Sequence, residues 1–114
     1  MSCLVVGSMA LDTISTPFGD RENCLGGAAC FFSVGAQLFT EVQLVGVVGE
    51  DFPEEHVAML RSKGIDLAGL ERRNDARTFR WSGLYEGRMD VAQTRDTQLN
   101  VLGEFRPNLP EVYR

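Results

Sequence analysis

One carboxylate and one pair of glycines are the residues of this 114-residue sequence whose types and spacing best suit the binding of a small polar molecule. Asp12 follows a short apolar run that ends at Gly7, and Gly26 and Gly27 precede a second apolar segment. A carboxylate accepts hydrogen bonds from hydroxyl groups. Glycine lets the backbone approach a ligand closely, because it has no Cβ and adopts positive φ without strain. The sequence therefore predicts a small-ligand site near these residues.

The segment before Asp12 gives this residue its expected position. The continuous apolar run Cys3–Val6 predicts a strand that is buried on both faces of a parallel sheet. In an open α/β sheet, ligands bind beyond the carboxyl ends of the strands, so Asp12 is expected to meet a substrate hydroxyl. The alternative is that Asp12 only caps a turn, and the spacing alone favours neither interpretation.

The glycine pair opens a predicted helix. From Gly27 onward, apolar residues recur at three- and four-residue spacing, which predicts a helix of about three turns packed on the sheet. Free backbone N–H groups at the start of this helix would favour an anionic or hydroxyl-rich ligand. The neighbouring aromatic residues Phe31 and Phe32 are expected to fill the core, which is the more frequent use of such residues.

Two further segments complete the predicted core. The apolar run Val42–Val48 predicts a second buried parallel strand, so that strand, helix and strand would form a right-handed βαβ unit. A second helix is predicted to begin at Phe52 and Pro53, to run to about Lys63 and to end at Gly64.

The pattern changes after a predicted connector at residues 65–69, because polar and apolar residues then alternate. Leu70–Arg73, Arg77–Tyr85 and Met89–Val101 are predicted to form antiparallel strands or hairpins with one face in water. Such a patch beside parallel strands is typical of an inserted flap. Its arginines are expected on solvated strand faces rather than at a bound anion.

Charge and composition argue against several classes of partner and site. The net charge is −5, with one lysine, ten arginines and no basic cluster, which argues against nucleic acid and anionic membranes. Cys3, Cys24 and Cys30 lack CxxC spacing, and the single histidine, His56, has no partner at metal-ligand spacing. We therefore expect neither a disulfide framework nor a metal site. No signal peptide or membrane-spanning stretch is recognisable, so the cytoplasm is the expected location.

Several segments match a known family when they are taken in order. The sequence has LVVG followed by Asp12, LGG at 25–27 opening a helix, VQLVGVVGEDF at 42–52, KGID at 63–66 and TFRWSGLYEGRMDVAQTRDTQLNV at 78–101. This ordered set resembles the ribokinase-like carbohydrate kinases, also called the PfkB family. The resemblance covers essentially all of this chain but only the amino-terminal part of the family's domain.

The resemblance implies an α/β fold with a Rossmann-like parallel sheet, flanking helices and an inserted β lid, here as an incomplete ribokinase-like fold. Residues 1–69 would form the substrate-side core, residues 70–101 the β-rich lid, and residues 102–114 a connector to a missing carboxyl-terminal part. Two predicted parallel strands are too little sheet for a complete α/β core. On this interpretation the sequence is unfinished.

The resemblance also implies an activity. Members of the family transfer the γ-phosphoryl group of ATP to a hydroxyl group of a sugar or nucleoside. By position, Asp12 would accept hydrogen bonds from substrate hydroxyls, and Gly26 and Gly27 would let the backbone close on the substrate. The lid would cover the site and exclude water, and its strands are expected to mediate a homodimer.

Two departures from the family pattern limit this prediction. Phe31 stands where many members have an asparagine that binds sugar hydroxyls. Because an aromatic face stacks on a ring but cannot bind hydroxyl groups, either the substrate differs from a simple ribose or hexose or the site is altered. The expected substrate-binding set is Asp12, Gly26, Gly27 and Phe31. The family's GxGD stretch, with its catalytic aspartate, occurs nowhere in the sequence. No catalytic or metal-binding residue is therefore assigned. ATP and Mg²⁺ are expected for the complete enzyme only, and the chain alone is expected to be inactive.

Two alternatives compete with a kinase fragment. The first is a non-enzymatic module that binds a small polar ligand or forms dimers, and an exposed sheet edge would favour it. The second is a dinucleotide-binding domain, which the several glycines suggest. The second is the weaker hypothesis, because no GxGxxG follows the first strand and no Walker A motif occurs.

Overall fold

The computed structural model describes residues 2–86 and 92–113. In chain order, the strands are β1 (Ser2–Val6), β2 (Ala10–Thr16), β3 (Gly19–Gly26), β4 (Glu41–Gly49), β5 (Asp66–Arg73), β6 (Phe79–Tyr85) and β7 (Ala92–Gln98). The helices are α1 (Ala28–Ala36) and α2 (Glu54–Ser62), followed by two short 3₁₀ helices at Asn100–Glu104 and Glu111–Tyr113. The strands form two sheets.

The first sheet is parallel, with the strand order β1-β4-β5. Its central strand, β4, is buried continuously from Leu44 to Gly49, because a run of Val and Leu suits a strand with a neighbour on each side. Leu44 and Val48 are fully buried and pack in one core with Leu60 of α2. The α/β fold and the two parallel strands expected from the sequence are thus confirmed.

The edges of this sheet differ from the prediction. Residues 65–69 were expected to be a connector and Leu70–Arg73 to belong to the lid, but both stretches contribute to β5, which pairs in parallel with β4. β5 is an edge strand and is buried only in part. Polar and apolar residues therefore alternate along it, as they do in an antiparallel strand with one face in water. β1 was expected to be buried on both faces, yet Leu4 and Val6 are 42% and 47% exposed because β1 is the other edge.

The second sheet has the strand order β3-β2-β6-β7. β2 and β3 form an antiparallel hairpin, β2 pairs in parallel with β6, and β6 pairs antiparallel with β7. The antiparallel pair of β6 and β7 confirms that part of the predicted flap, although residues 89–91 of its last predicted strand lie outside the described residues. β3 was missed because residues 21–23 are polar, and their exposed side chains give no apolar signal although they lie in a strand.

The two helices agree unequally with the prediction. α2 runs over Glu54–Ser62 with Pro53 as its N-cap, and Gly64 follows it with a φ of +78°. α1 was expected to bury Phe31 and Phe32, but these rings are 64% and 59% exposed. Small side chains face the core instead, since the helix packs on the sheet through Ala29, Cys30 and Ser33. Neither helix has the length and apolar content that crossing a membrane requires, nor has any other helix within residues 2–86 and 92–113.

A polar cluster joins the two sheets where β4 ends. The Asp51 carboxylate accepts hydrogen bonds from the Thr78 backbone N–H at 2.8 Å and from Arg80 at 2.7 Å. The Gly49 N–H donates to the Thr78 hydroxyl at 2.9 Å. Arg80 also donates to the side chain of Asn23 in β3, at 2.8 Å. Arg80, expected on a solvated strand face, instead ties β6 to the first sheet and to β3.

Candidate functional site

The structure brings the predicted site residues together where the second sheet meets the start of α1. Asp12 lies in β2, Gly26 ends β3, and Gly27 is the N-cap of α1. Gly26 lies against the Asp12 carboxyl group, and Asp12 and Gly27 border an open depression of about 230 Å³. Its walls are formed by Ala10, Asp12, Gly27, Ala28, Phe31, Phe79 and Trp81. The predicted set of Asp12, Gly26, Gly27 and Phe31 is thus a spatial cluster, and Asp12 lies in a strand rather than in a turn.

Gly26 makes room for the carboxyl group of Asp12. A Cβ built on Gly26 would overlap both carboxylate oxygens and the carboxyl carbon of Asp12. The antiparallel pairing of β2 with β3 causes this, because it sets Ala10 opposite Gly26 and Asp12 opposite Cys24. Any larger residue at position 26 would therefore displace the Asp12 carboxylate.

Gly27 has a separate role in the backbone. Its φ is +93°, a conformation that side chains rarely adopt, and a Cβ there would overlap the Ser8 carbonyl group. Ser8 caps α1 from outside the helix: the Ala28 N–H donates to the Ser8 hydroxyl and the Ala29 N–H donates to the Ser8 carbonyl, both at 3.0 Å. Two of the N–H groups that were expected to be free for an anionic or hydroxyl-rich ligand are therefore taken by Ser8.

The Asp12 carboxylate faces the depression without a partner from the described residues. Its residue is only 9% exposed, and burial raises the pKa of its carboxyl group. Within residues 2–86 and 92–113, no group donates a hydrogen bond to this carboxylate. Burial, with a further contribution from Asp12, raises the pKa of the Cys30 thiol to about 12, so this thiol stays protonated. Asp12 is therefore a strong, unused acceptor that faces the depression.

Aromatic rings form the rest of the wall. Phe31 of α1 is 64% exposed, and Phe79 and Trp81 of β6 are half-buried. The parallel register of β2 and β6 pairs Ala10 with Phe79 and Asp12 with Trp81. Phe79 and Trp81 were missed in the sequence, because no local pattern reveals that β2 and β6 are neighbours. The site therefore combines one carboxylate with several aromatic faces.

The described residues hold no cluster of metal-ligating side chains. Within residues 2–86 and 92–113, no three His, Cys, Asp or Glu residues lie close enough together to hold a metal ion. His56 instead contacts the Asn23 carbonyl oxygen at 2.9 Å. A larger open depression of about 800 Å³ lies beside β5 and shares no lining residue with the depression at Asp12. Its Arg72 and Arg73 already pair with Glu54 at 2.6 Å and with Glu104 at 3.6 Å.

Sequence comparison gives one significant match among characterised proteins. The chain is 35% identical over 72 residues to a cytidine kinase of Thermococcus kodakarensis. The match covers 62% of this chain and 26% of the cytidine kinase, so the chain spans about a quarter of that protein. No protein-family model matches the chain.

Structural comparison extends the likeness to most of the chain. A nucleoside kinase of Methanocaldococcus jannaschii, described as an archaeal member of the ribokinase family, superposes with a TM-score of 0.75 at 22% identity and covers 95% of this chain. A Burkholderia thailandensis nucleoside kinase in complex with inosine superposes with a TM-score of 0.76 at 16% identity and covers 91% of this chain. A Cryptococcus neoformans ribokinase in complex with ADP superposes with a TM-score of 0.73 at 22% identity and covers 87% of this chain.

The chain is much shorter than these structures, of which it covers 41%, 37% and 35%. The match to the M. jannaschii kinase nevertheless covers 95% of this chain. The chain therefore has the fold of part of the ribokinase-family kinases, and the resemblance seen in its sequence is confirmed.

Proposed function

We propose that this chain is the substrate-side part of an ATP-dependent kinase, which transfers the γ-phosphoryl group to a hydroxyl group of a nucleoside or sugar. The observation that carries the proposal is the Asp12 carboxylate, which has no hydrogen-bond donor among the described residues and faces the open depression. A carboxylate accepts hydrogen bonds from hydroxyl groups, and a substrate hydroxyl in the depression would supply the donor that the described residues do not. The cytidine kinase and nucleoside kinases that the chain resembles support this substrate class.

Each residue of the site has a defined part in substrate binding. Asp12 accepts hydrogen bonds from hydroxyl groups of the substrate, and Gly26 leaves its carboxylate free to do so. Gly27 brings the chain round into α1, which places Phe31 at the rim. The second sheet, β3-β2-β6-β7, acts as the lid that limits the access of water to the bound substrate. The lid thus includes the β2–β3 hairpin as well as part of the predicted region 70–101.

The phosphate donor is bound by residues other than the ones described. ATP with Mg²⁺ supplies the phosphoryl group in the complete enzyme, but the described residues lack an acidic cluster for Mg²⁺ and the sequence lacks GxGD. The 114-residue chain therefore holds no catalytic residue and turns over no substrate by itself. Turnover of ATP with a nucleoside or sugar by the purified chain would contradict this statement.

We place the protein in the cytoplasm, in keeping with its free cysteines.

The substrate role of Asp12 is tested by calorimetric titration of the purified chain with cytidine and with D-ribose. Asp12→Asn removes the charge at nearly constant volume, and we expect it to weaken binding about 10- to 100-fold, because hydrogen bonds to charged groups contribute about 1.5–3 kcal/mol. Asp20→Asn, at an exposed position of the hairpin, is the matched control and should leave binding unchanged. Equal affinities for wild type and Asp12→Asn would contradict the proposed function.

A specific observation favours one alternative, a non-enzymatic module for dimerisation or small-ligand binding. β1 is a free edge of the first sheet with Leu4 and Val6 exposed, and such an edge can pair with another chain. A homodimer through the lid would instead use the hairpin around Phe18, which is 89% exposed. Sedimentation velocity separates the two interfaces: Val6→Lys dissolves a dimer through β1, whereas Phe18→Ser dissolves one through the lid.

A further inference from the structure

Trp81 of β6 is the neighbour of Asp12 in the second sheet, and the proposed function gives it no role so far. The two residues are directly paired in the parallel register of β2 and β6. Paired residues on neighbouring strands project from the same face of a sheet. The side chains of Trp81 and Asp12 therefore leave neighbouring strands on the same face, and both residues line the same depression.

The glycine two residues later gives the indole its position. Gly83 is buried, and a Cβ built on it would overlap Cη2, Cζ2 and Cζ3 of Trp81. The six-membered ring of the indole thus lies directly over the backbone of β6. Any side chain at position 83 would push the ring away from the sheet. Gly83 thus makes room for the Trp81 ring, as Gly26 makes room for the Asp12 carboxyl group.

A hydrogen bond across to β7 fixes the other side of the ring. The indole Nε1–H donates to the Thr94 hydroxyl at 3.1 Å, and Thr94 is paired with Gly83 in the antiparallel register. The only polar atom of the ring is therefore satisfied within the protein. The apolar part of the ring is only half-buried and borders the depression together with Phe31 and Phe79. Such an oriented, partly open ring has area left for a ligand.

We infer that Trp81 is a specificity-determining residue on which a planar aromatic heterocycle of the substrate stacks, so that the substrate is a nucleoside and not a free sugar. This inference rests on the proposed function and deepens it. Every nucleobase has a flat π-face that stacks on an aromatic side chain. The neighbouring carboxylate of Asp12 then meets the hydroxyl groups of the ribose. The two halves of a nucleoside thus match the two kinds of surface in the depression.

Phe31 supports the same assignment. An aromatic ring at this position cannot hydrogen-bond to sugar hydroxyls, whereas it adds apolar surface for a base. Its ring is 64% exposed, so it is not needed for the core. Phe31 and Trp81 come from α1 and β6, and they border the depression together with Asp12. A free sugar, with hydroxyl groups around its ring, would leave much of this aromatic surface unused.

Trp81 is the only tryptophan of the chain, so its fluorescence reports directly on the proposed contact. Cytidine added to the wild-type chain should quench the emission and bind more tightly than D-ribose. Trp81→Leu should weaken cytidine binding about 10- to 100-fold by calorimetry, because base stacking on an aromatic ring is worth about this much. The same variant should leave D-ribose binding unchanged. Phe39→Leu, at a position with 89% exposure outside the depression, is the control.

Gly83→Ala keeps the tryptophan and displaces it, and this variant remains informative if Trp81→Leu fails to fold. It should shift the emission of the free protein and weaken cytidine binding, again without an effect on D-ribose. Equal affinities for cytidine and D-ribose, both lowered by Asp12→Asn and neither by the Trp81 and Gly83 variants, would overturn this inference but leave the proposed function intact. Absence of binding by either ligand would overturn both.

Discussion

The two sheets of this chain differ in how their strands are buried, and the site lies on the less buried sheet. In β4, the centre of the first sheet, every residue from Leu44 to Gly49 is buried, whereas in β7 every residue from Gln93 to Gln98 is exposed. The centre of the first sheet thus lies in the core, whereas the outer strand of the second sheet lies in water. The second sheet carries Asp12 and Trp81, whose side chains face a depression. The difference indicates that truncations in the centre of the first sheet cost the most stability, whereas changes in the outer strand of the second sheet cost little.

The largest expected effect is the loss of core packing in the first sheet. Leu44→Ala removes a side chain that is fully buried in β4, and we expect it to lower the free energy of unfolding by about 2–5 kcal/mol. Thr97→Ala, in exposed β7, should change that free energy by less than about 0.5 kcal/mol. Urea unfolding followed by circular dichroism measures both. Similar losses of unfolding free energy in the two variants would contradict the claim that β4 contributes more to stability than β7.

The contact between the sheets should have an intermediate effect that depends on pH. Burial would raise the pKa of Asp51, but the hydrogen bonds from Thr78 and Arg80 outweigh it and lower this pKa from 3.8 to about 2. Asp51→Asn weakens these contacts and should lower the free energy of unfolding at neutral pH by about 1–2 kcal/mol.

The sign of the pH effect follows from the lowered pKa of Asp51. The carboxylate contributes its stability above the unfolded-state pKa and loses it as the pH falls from about 4 towards 2. Wild type should therefore approach the Asp51→Asn variant in stability over this range. Asp20→Asn at an exposed position serves as the control. A difference between wild type and Asp51→Asn that stays constant down to pH 2 would show that the charge of Asp51 does not join the sheets.

The smallest expected effect on stability is that of Asp12→Asn in the candidate site, and it is a gain rather than a loss. Burial raises the pKa of Asp12, so the protein favours the protonated form of this group. Its contribution to stability is greatest at low pH and falls as the pH rises through the raised pKa. Asp12→Asn should therefore slightly stabilise the fold at neutral pH while it weakens ligand binding. A loss of stability in Asp12→Asn, measured by urea unfolding, would show that this carboxylate is structural.

The sequence predicted the interior of the fold better than its edges. The apolar run of β4 and the capping residues of α2 carry strong local signals, and both elements were predicted. The first half of β5 was predicted to be a connector and Leu70–Arg73 was assigned to the lid, because this edge strand alternates between polar and apolar residues. β3 was missed because its polar residues 21–23 give no strand signal even though they lie in a hairpin. The burial of an edge strand depends on its neighbours, which no local pattern reveals.

The site was predicted in part for the same reason. Asp12, Gly26, Gly27 and Phe31 were identified from motif and resemblance, and the structure brings them together. Trp81 was not identified, since its place beside Asp12 depends on a pairing between strands that are far apart in the sequence. The exposure of Phe31 could not be predicted either, because aromatic residues in helices usually fill a core.

The most direct test of the account is a two-dimensional ¹H–¹⁵N spectrum of the full chain, recorded during titration with cytidine. The account predicts that the signals that shift are the backbone signals of Asp12, Gly27 and Phe31, together with the indole N–H signal of Trp81. Signals of Arg72 and Arg106, which line the larger depression beside β5, should stay in place. Shifts confined to that depression, or no shifts at saturating cytidine, would contradict the claim that Asp12 and Trp81 form a nucleoside site.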